Sequence, residues 1–418
     1  MLETLRSAWR IKELRQRITF TLLMLVVFRL GSHVPVPGVD PSQITNFFQQ
    51  NNLFGLFNVF AGGSLERYSI FAMGIFPYIN ASIIVQLLGV VIPKFEEWSK
   101  EGPEGQKKMQ QIMRYGAIVI AVIQATGMTL GLFRGAVLNP GPFAYITIIL
   151  TLTAGTAFLM WLGELITEKG IGNGVSIIIF AGIVADFGPG VTRIFALTRA
   201  GEMNIFADLV SIVVILALIL GIVALEEGQR RIPVQYVKRV VGRKMYGGQS
   251  THIPLKVNQS GVIPVIFAST LLMLPGTIAG FINHPVAQSI AEVFTVGTPV
   301  YTVLYVLLIL FFAYFYTAFQ FDPHKIAGDM KKYGGFIPGL RPGRPTAEYL
   351  ARVSNRLTLF GAIALAVISV VPILLRTIFG IDIIFGGTGL IIVVGVVLET
   401  MKQIESHMLM RSYQGFMK

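Results

Sequence analysis

Apolar runs of about twenty residues recur along nearly the whole chain, and that is the length an α-helix needs to cross a hydrocarbon core of about 30 Å. Ten are expected: near Ile18 to His33, Ile75 to Ile92, Tyr115 to Phe133, Phe143 to Thr167, Val175 to Phe195, Ile205 to Leu225, Ser260 to Ile282, Val300 to Phe321, Leu357 to Ile378 and Ile383 to Met401. None shows the period-two alternation of a spanning β-barrel, so the expected class is an all-α polytopic membrane protein. Mean hydropathy is +0.67 and only 13% of residues are charged, where soluble domains carry roughly a quarter.

Two basic stretches interrupt the runs. Gln229 to Lys256 carries Arg230, Arg231, Lys238, Arg239, Arg243, Lys244 and Lys256 with no acid, and Asp322 to Arg356 carries Lys331, Lys332, Arg341, Arg344, Arg352 and Arg356. Arg6, Arg10, Lys12, Arg15 and Arg17 precede the first run, and Lys94, Lys100, Lys107 and Lys108 follow the second. If the spans alternate, all these fall on one side, which the distribution of Lys and Arg marks as cytoplasmic, with both termini there. The opposite connections carry scattered charges such as Arg67, Arg134, Arg193, Arg199 and Arg376. The net charge of +12 follows from this topology, so nucleic acid is not an expected direct partner, a ribosome surface excepted.

The expected division is a cytoplasmic amphipathic segment over 1–17, spans one to five over 18–195, a sixth over 205–225, a basic loop over 226–257, spans seven and eight over 258–321, a second basic loop over 322–356, spans nine and ten over 357–401 and a cytoplasmic tail over 402–418. Leu2, Leu5, Trp9 and Leu14 with basic residues between them fit an interfacial helix or a plain topology signal. No cleavable leader is expected, because the first run continues into Pro35 to Gly38.

The spans are nearly empty of ionisable groups, which a proton- or ion-coupled transporter would need at mid-depth. Arg29 lies near one end of the first run, and Glu164 and Glu168 lie near the inner end of the fourth. There is no nucleotide-cradling Gly-Lys-Ser/Thr loop and no HExxH, and the five histidines are scattered. The absence of cysteine excludes disulfides, thiolate metal sites and cysteine nucleophiles. No cofactor and no enzymatic activity are expected, so the energy for any work must come from a partner. Gln86, Gln124 and Asn258 are the polar residues singled out within or beside the spans, as interhelical hydrogen-bonding groups worth about 0.6 kcal/mol each or as simple packing contacts.

Ala61 to Tyr78 reads AGGSLERYSIFAMGIFPY, with glycines beside Glu66 and Arg67. Irregular backbone at membrane depth is tolerated only when buried in protein or lining a cavity, so this is a re-entrant segment or else an ordinary external loop. Gly170, Gly172 and Gly174 with Asn173 allow a tight turn between spans four and five. Pro264 and Pro275 are expected to interrupt the seventh span. Two five-helix halves related as an inverted repeat are compatible with the order of runs, although no internal sequence match supports them.

Several long motifs carry a resemblance that runs from end to end. They are GSHVPVPG at Gly31 to Gly38, GIFPYINASIIVQLL at Gly74 to Leu88, WLGELITEKGIGNGVSIIIFAGIVA at Trp161 to Ala185, GQRRIPVQYVKR at Gly228 to Arg239, QSTHIPLKVNQSGVIPVIFAS at Gln249 to Ser269, FIPGLRPG at Phe336 to Gly343 and FGGTGLIIVV at Phe385 to Val394. In these the chain resembles the SecY family of protein-conducting channels. The resemblance implies ten helices in two inverted halves around an hourglass pore that opens sideways at a lateral gate.

It further implies a plug formed by Gly62, Gly63, Ser64, Leu65, Glu66, Arg67, Tyr68, Ser69, Ile70, Phe71, Ala72 and Met73, and a constriction lined by Ile75, Ile79, Val175, Ile179, Ile266 and Ile392. Val175 stands where relatives commonly carry isoleucine. Gln86 and Asn258 match polar positions near the gate, and Arg230, Arg231, Arg243, Lys244 and Arg341 match a cytoplasmic docking surface. The implied partners are the subunits SecE and SecG, the motor ATPase SecA, the ribosome, signal-bearing polypeptides and membrane lipid, with no small-molecule substrate, in a bacterial plasma membrane. A solute carrier and a tethering scaffold are the rival readings. The first needs a polar midplane site that the sequence does not offer.

Overall fold

The helices are α1 (Lys12–Gly31), α2 (Pro41–Gln50), α3 (Gly55–Phe60), α4 (Phe76–Val91), α5 (Pro93–Lys100), α6 (Pro103–Gly127), α7 (Pro142–Lys169), α8 (Gly174–Ala185), α9 (Ile205–Glu227), α10 (Ile263–Gly280), α11 (Pro299–Gln320), α12 (Pro323–Lys332), α13 (Arg344–Phe379) and α14 (Gly386–Gly415). This computed structural model describes the chain apart from residues 1–6, 8, 51–54, 193–204, 237–238, 242–243, 247–249, 281–284, 286–288, 290–291, 380–385 and 416–418. Leu2, Leu5, Arg6, Arg193, Arg199, Lys238 and Arg243 therefore lie outside the described residues.

Seven helical stretches among the described residues are long and apolar enough to cross a membrane: Pro103–Leu132, Pro142–Lys169, Gly174–Thr192, Leu209–Glu227, Pro299–Lys332, Arg344–Thr377 and Gly386–Met410. The expected first, second and seventh runs are helical too, but fall short by that measure. α4 has 16 residues and rises about 24 Å, less than a bilayer core. α1 carries Lys12, Glu13, Arg15, Arg17 and Arg29 in its 20 residues. Boundaries shift as well, since α13 begins 13 positions before Leu357 and α14 runs beyond Met401 to Gly415. Pro264 sits in the first turn of α10, where a missing N–H is tolerated, so only Pro275 interrupts that helix.

Apolar side chains cover the outside of the bundle as well as its core. On α9, Leu209, Ile212, Val213, Leu216 and Leu220 are exposed at helical spacing while Leu218, Ile222 and Leu225 are buried, which suits a helix with lipid on one side and protein on the other. Helices α1, α4, α6, α7 and α8 pack among themselves, as do α9, α10, α11, α13 and α14. The two groups meet chiefly where α4 packs on α10 and where α8 packs on α14.

Gly170–Gly174 makes the expected turn and is fastened on three sides. Ile171 packs with Leu14 of α1 and Ile404 of α14, and its N–H donates to Thr21 Oγ1 at 3.0 Å. Asn173 caps α8, its Oδ1 accepting from the N–H groups of Val175 and Ser176. Leu14 is thus buried against the protein, not free in the interface.

The basic stretches, expected as loops, carry short strands among the described residues. The strands are β1 (Gln229–Tyr236), β2 (Arg239–Val241), β3 (Lys244–Tyr246), β4 (Ser250–Lys256) and β5 (Gly335–Phe336). β1 pairs antiparallel with β4, placing Ile232 opposite Ile253, and on its other edge with β5 from the second basic stretch. Ile232, Val234 and Leu255 pack on Met330, Ile337, Leu350 and Val353, so segments about a hundred positions apart form one body. Arg230, Arg231, Lys331, Lys332, Arg341, Arg352 and Arg356 are exposed on it.

Candidate functional site

The seven residues Phe60, Ile75, Phe76, Ile79, Ile179, Ile266 and Ile392 surround one small cavity of about 10 Å³. They come from α3, the start of α4, α8, α10 and α14, so both helix groups close on the same point. That volume is about what a single water needs, and a water also needs two or more polar partners. The lining offers no polar side chain, so the cavity is small and apolar and gives a water nothing to bond to.

Five of the six residues expected at a constriction line this cavity. Ile75 is the N-cap of α4, and its carbonyl accepts the N–H of Ile79 at 3.1 Å, which stacks the two side chains one turn apart. Val175 does not line it. It shares a helix face with Ile179 but lies one turn, about 5.4 Å, nearer the basic side. There it sits close to Gly163 of α7, whose added Cβ would be 3.5 Å from Val175 Cγ2. The expectation left out Phe60 and Phe76, whose rings lie 5.8 Å apart beside the isoleucines.

Above the constriction, on the side away from the basic body, residues 61–75 run as successive turns. Ser64, Leu65, Tyr68, Ser69, Phe71, Ala72 and Met73 are buried, so the segment is not an external loop. Phe71 is held between Phe28 of α1 and Phe158 of α7, with centroids 6.2 and 5.8 Å away. Tyr68 meets Phe133 edge-on, and its hydroxyl lies 3.3 Å from Thr129 Oγ1 in the π-helical turn that ends the third span. The backbone is tied to the segment after α1, Val36 N–H donating to Tyr68 O at 3.0 Å and Ile70 N–H to Val34 O at 2.9 Å. Two glycines make room: a Cβ on Gly155 would overlap the carbonyl of Ile70, and one on Gly182 would press on that of Phe60.

A polar cluster sits at the rim of this segment. Arg29 Nη1 donates to Gly62 O at 2.9 Å, Arg67 Nη1 lies 3.0 Å from His33 Nε2, and Asn58 bonds both the carboxylate and the N–H of Glu66. Asp186, where α8 ends, lies within electrostatic reach of Arg29, Arg67 and Glu66. Sequence reading passed over Asp186, although it is an acid inside the expected fifth run, Val175 to Phe195.

Gln86 and Asn258 do not bond to each other. Gln86 Nε2 donates to Ser82 Oγ of its own helix at 3.2 Å, and its buried Oε1 has no partner among the described residues. Asn258 Nδ2 donates to Glu226 Oε1 at 2.7 Å and to Gly261 O at 2.9 Å, both within the second helix group. The α4–α10 contact is therefore not riveted by this pair. Arg230, Arg231 and Arg341 are exposed on the basic body, Lys244 lies in β3, and Arg243 is outside the described residues. No group of three or more metal-ligating side chains occurs among the described residues.

The profile of the SecY family matches residues 69–401. Relatives named protein translocase subunit SecY include one from Halalkalibacterium halodurans, 50% identical over the full length of both chains, and one from Thermus thermophilus, 47% identical over all of this chain and 98% of that one. The relative of the same name from Escherichia coli is 44% identical over 97% and 94%. Among solved structures the fold resembles a protein-conducting channel with a TM-score of 0.69 at 20% identity, covering 94% of this chain and 92% of that one. It also resembles Sec61 in a canine ribosome-channel complex, with a TM-score of 0.65 at 18% identity and the same coverage.

Proposed function

The chain belongs to the SecY family, and from that premise we propose that it is the pore-forming subunit of a protein translocase, conducting unfolded polypeptide through the Ile75–Ile79–Ile179–Ile266–Ile392 constriction. The observation that carries this reading is the small apolar cavity, lined by five isoleucines and two phenylalanines, where the two helix groups meet. Isoleucine offers no hydrogen bond, so such a ring adapts to many sequences without retaining any. A narrow apolar constriction also excludes ions by dewetting. Val175 forms the cytoplasmic approach to the ring.

In this reading Gly62–Met73 is the plug that seals the channel at rest. The gate is the α4–α10 contact, near Gln86 and Asn258, and because each of these bonds within its own helix group they do not oppose separation. A signal or membrane segment gains about 0.3 to 0.6 kcal/mol in lipid for each central Leu, Ile, Phe or Val. Ten such residues supply several kcal/mol, enough to drive sideways release. No group in the constriction does covalent chemistry, so the driving force comes from a cytoplasmic motor or a translating ribosome.

The basic body, with Arg230, Arg231 and Arg341, is the docking surface for that machine, together with the basic stretch of the sequence that carries Arg243 and Lys244. SecA, SecE, SecG and the ribosome are the partners the family implies. The location is a bacterial plasma membrane, with both termini cytoplasmic.

The test is reconstitution in vesicles with SecE, SecA and ATP. A presecretory protein becomes protease-protected only when all are present, and in the same vesicles Arg341→Glu cuts protection severalfold with the channel equally abundant. Protection without this chain contradicts the proposal, and full protection with Arg341→Glu contradicts the docking assignment.

A further inference from the structure

The geometry points to a clasp, made by Arg29 and His33 at the end of α1, that holds the plug shut through Gly62 and Arg67. It rests on reading Gly62–Met73 as the seal and names what keeps the seal in place. Gly62 has φ +65°, and this left-handed turn presents its carbonyl to the Arg29 guanidinium at 2.9 Å. A guanidinium only donates, so His33 Nε2 must accept from Arg67. The ring proton is then on Nδ1, which donates to Arg29 O at 2.9 Å. The imidazole thus links the plug to the backbone of α1 in one tautomer.

Arg29 and Arg67 bring two cations together, and Asp186 offsets their repulsion. A methyl built on Gly63 would lie 3.4 Å from Asp186 Oδ1 and 3.6 Å from Arg67 Nη2. Glu66 is turned to Asn58 instead. The other end of the plug, Phe71 to Met73, is seated by apolar contact, which gives little directional hold. Backbone bonds at Tyr68 and Ile70 tie the middle of the segment to Val36 and Val34, and the contacts at Gly62 and Arg67 add its side-chain hold on α1.

Both ends of the clasp lie in one helix group, because α1 packs on α7 and α8. Separating α4 from α10 does not break it. Plug release and lateral opening are consequently separate barriers, and Arg29 and His33 are positioning residues for the first.

The experiment records resting ion current of the intact translocase complex in planar bilayers, with deletion of Gly62–Met73 as reference. Arg29→Met, His33→Phe and Arg67→Met each raise the resting current about tenfold or more, as loss of a charge-assisted hydrogen bond implies. Arg29→Lys and His33→Gln, which keep a donor to Gly62 and an acceptor for Arg67, stay near the parent. Should Arg29→Met fail to assemble, Arg67→Met breaks the same clasp from the plug side and decides the question.

Parental current in the Met variants, with a conducting deletion, overturns the clasp and leaves the plug standing. Equal leakage from His33→Gln and His33→Phe overturns the part given to His33. A silent deletion overturns the plug and the clasp together.

Discussion

With Ile392 replaced by glutamate, the resting complex is expected to pass ions at least about a hundredfold more readily than the parent. Ile392 is 0% exposed and lines a cavity of about 10 Å³ with four other isoleucines and two phenylalanines, none of which can pair with a carboxylate. Burying an unpaired charge costs several kcal/mol, so the carboxylate is stabilised only by drawing water in. Wetting the constriction removes the dewetting barrier that keeps ions out. Ile392→Met conserves volume and polarity and should leave the seal near the parent, since such swaps usually cost less than about 1.5 kcal/mol. Single-channel recording checks both, and a silent Ile392→Glu channel contradicts the account of the seal.

The second large effect is expected at Gly155. Alanine is the better helix former by about 1 kcal/mol, so on propensity alone Gly155→Ala should stabilise α7. The structure predicts the opposite for the closed state, because the new Cβ would occupy the place of the Ile70 carbonyl. Overpacking of this kind costs about 1 to 3 kcal/mol. A 28-residue helix packed on three neighbours yields less than a segment built of turns, so the plug lifts. The expected result is a rise in resting current of about tenfold to a hundredfold with assembly intact, and labelling of a cysteine at Ile70 by a membrane-impermeant reagent should rise with it. An unchanged current combined with a more stable protein would mean that propensity governs this position and that the plug does not rest on α7.

Much of this architecture was legible because the bilayer imposes a simple rule. Runs such as Ile205 to Leu225 announce helices by length alone, and the charges of the two basic stretches mark a side. The five cavity-lining isoleucines were legible through motif resemblance, not through periodicity, since Ile79 and Ile84 look alike in sequence although one lines the cavity and the other is exposed. What escaped reading depends on contacts between distant segments. The alternation Ile232, Val234 and Ile253, Leu255 carries a strand signal, but it is short and lies among charged residues, and only the pairing of β1 with β4 makes it a sheet. The bonding of Asn258 to Glu226 could not be inferred from either residue alone. The seat of residues 61–75 depends on Gly155, Gly182 and Phe71, whose common neighbourhood exists only in the packed bundle.

Site-specific photocrosslinking of an arrested translocation intermediate tests the central claim most directly. A photoreactive residue at Ile79, Ile179, Ile266 or Ile392 should give adducts with the translocating chain, whereas one at Leu220, on the exposed outer face of α9, should react with lipid. Abundant adducts at Leu220 with none at the four cavity positions, in a reaction that is exporting protein, would show that polypeptide takes another route and that the aliphatic closure is only packing.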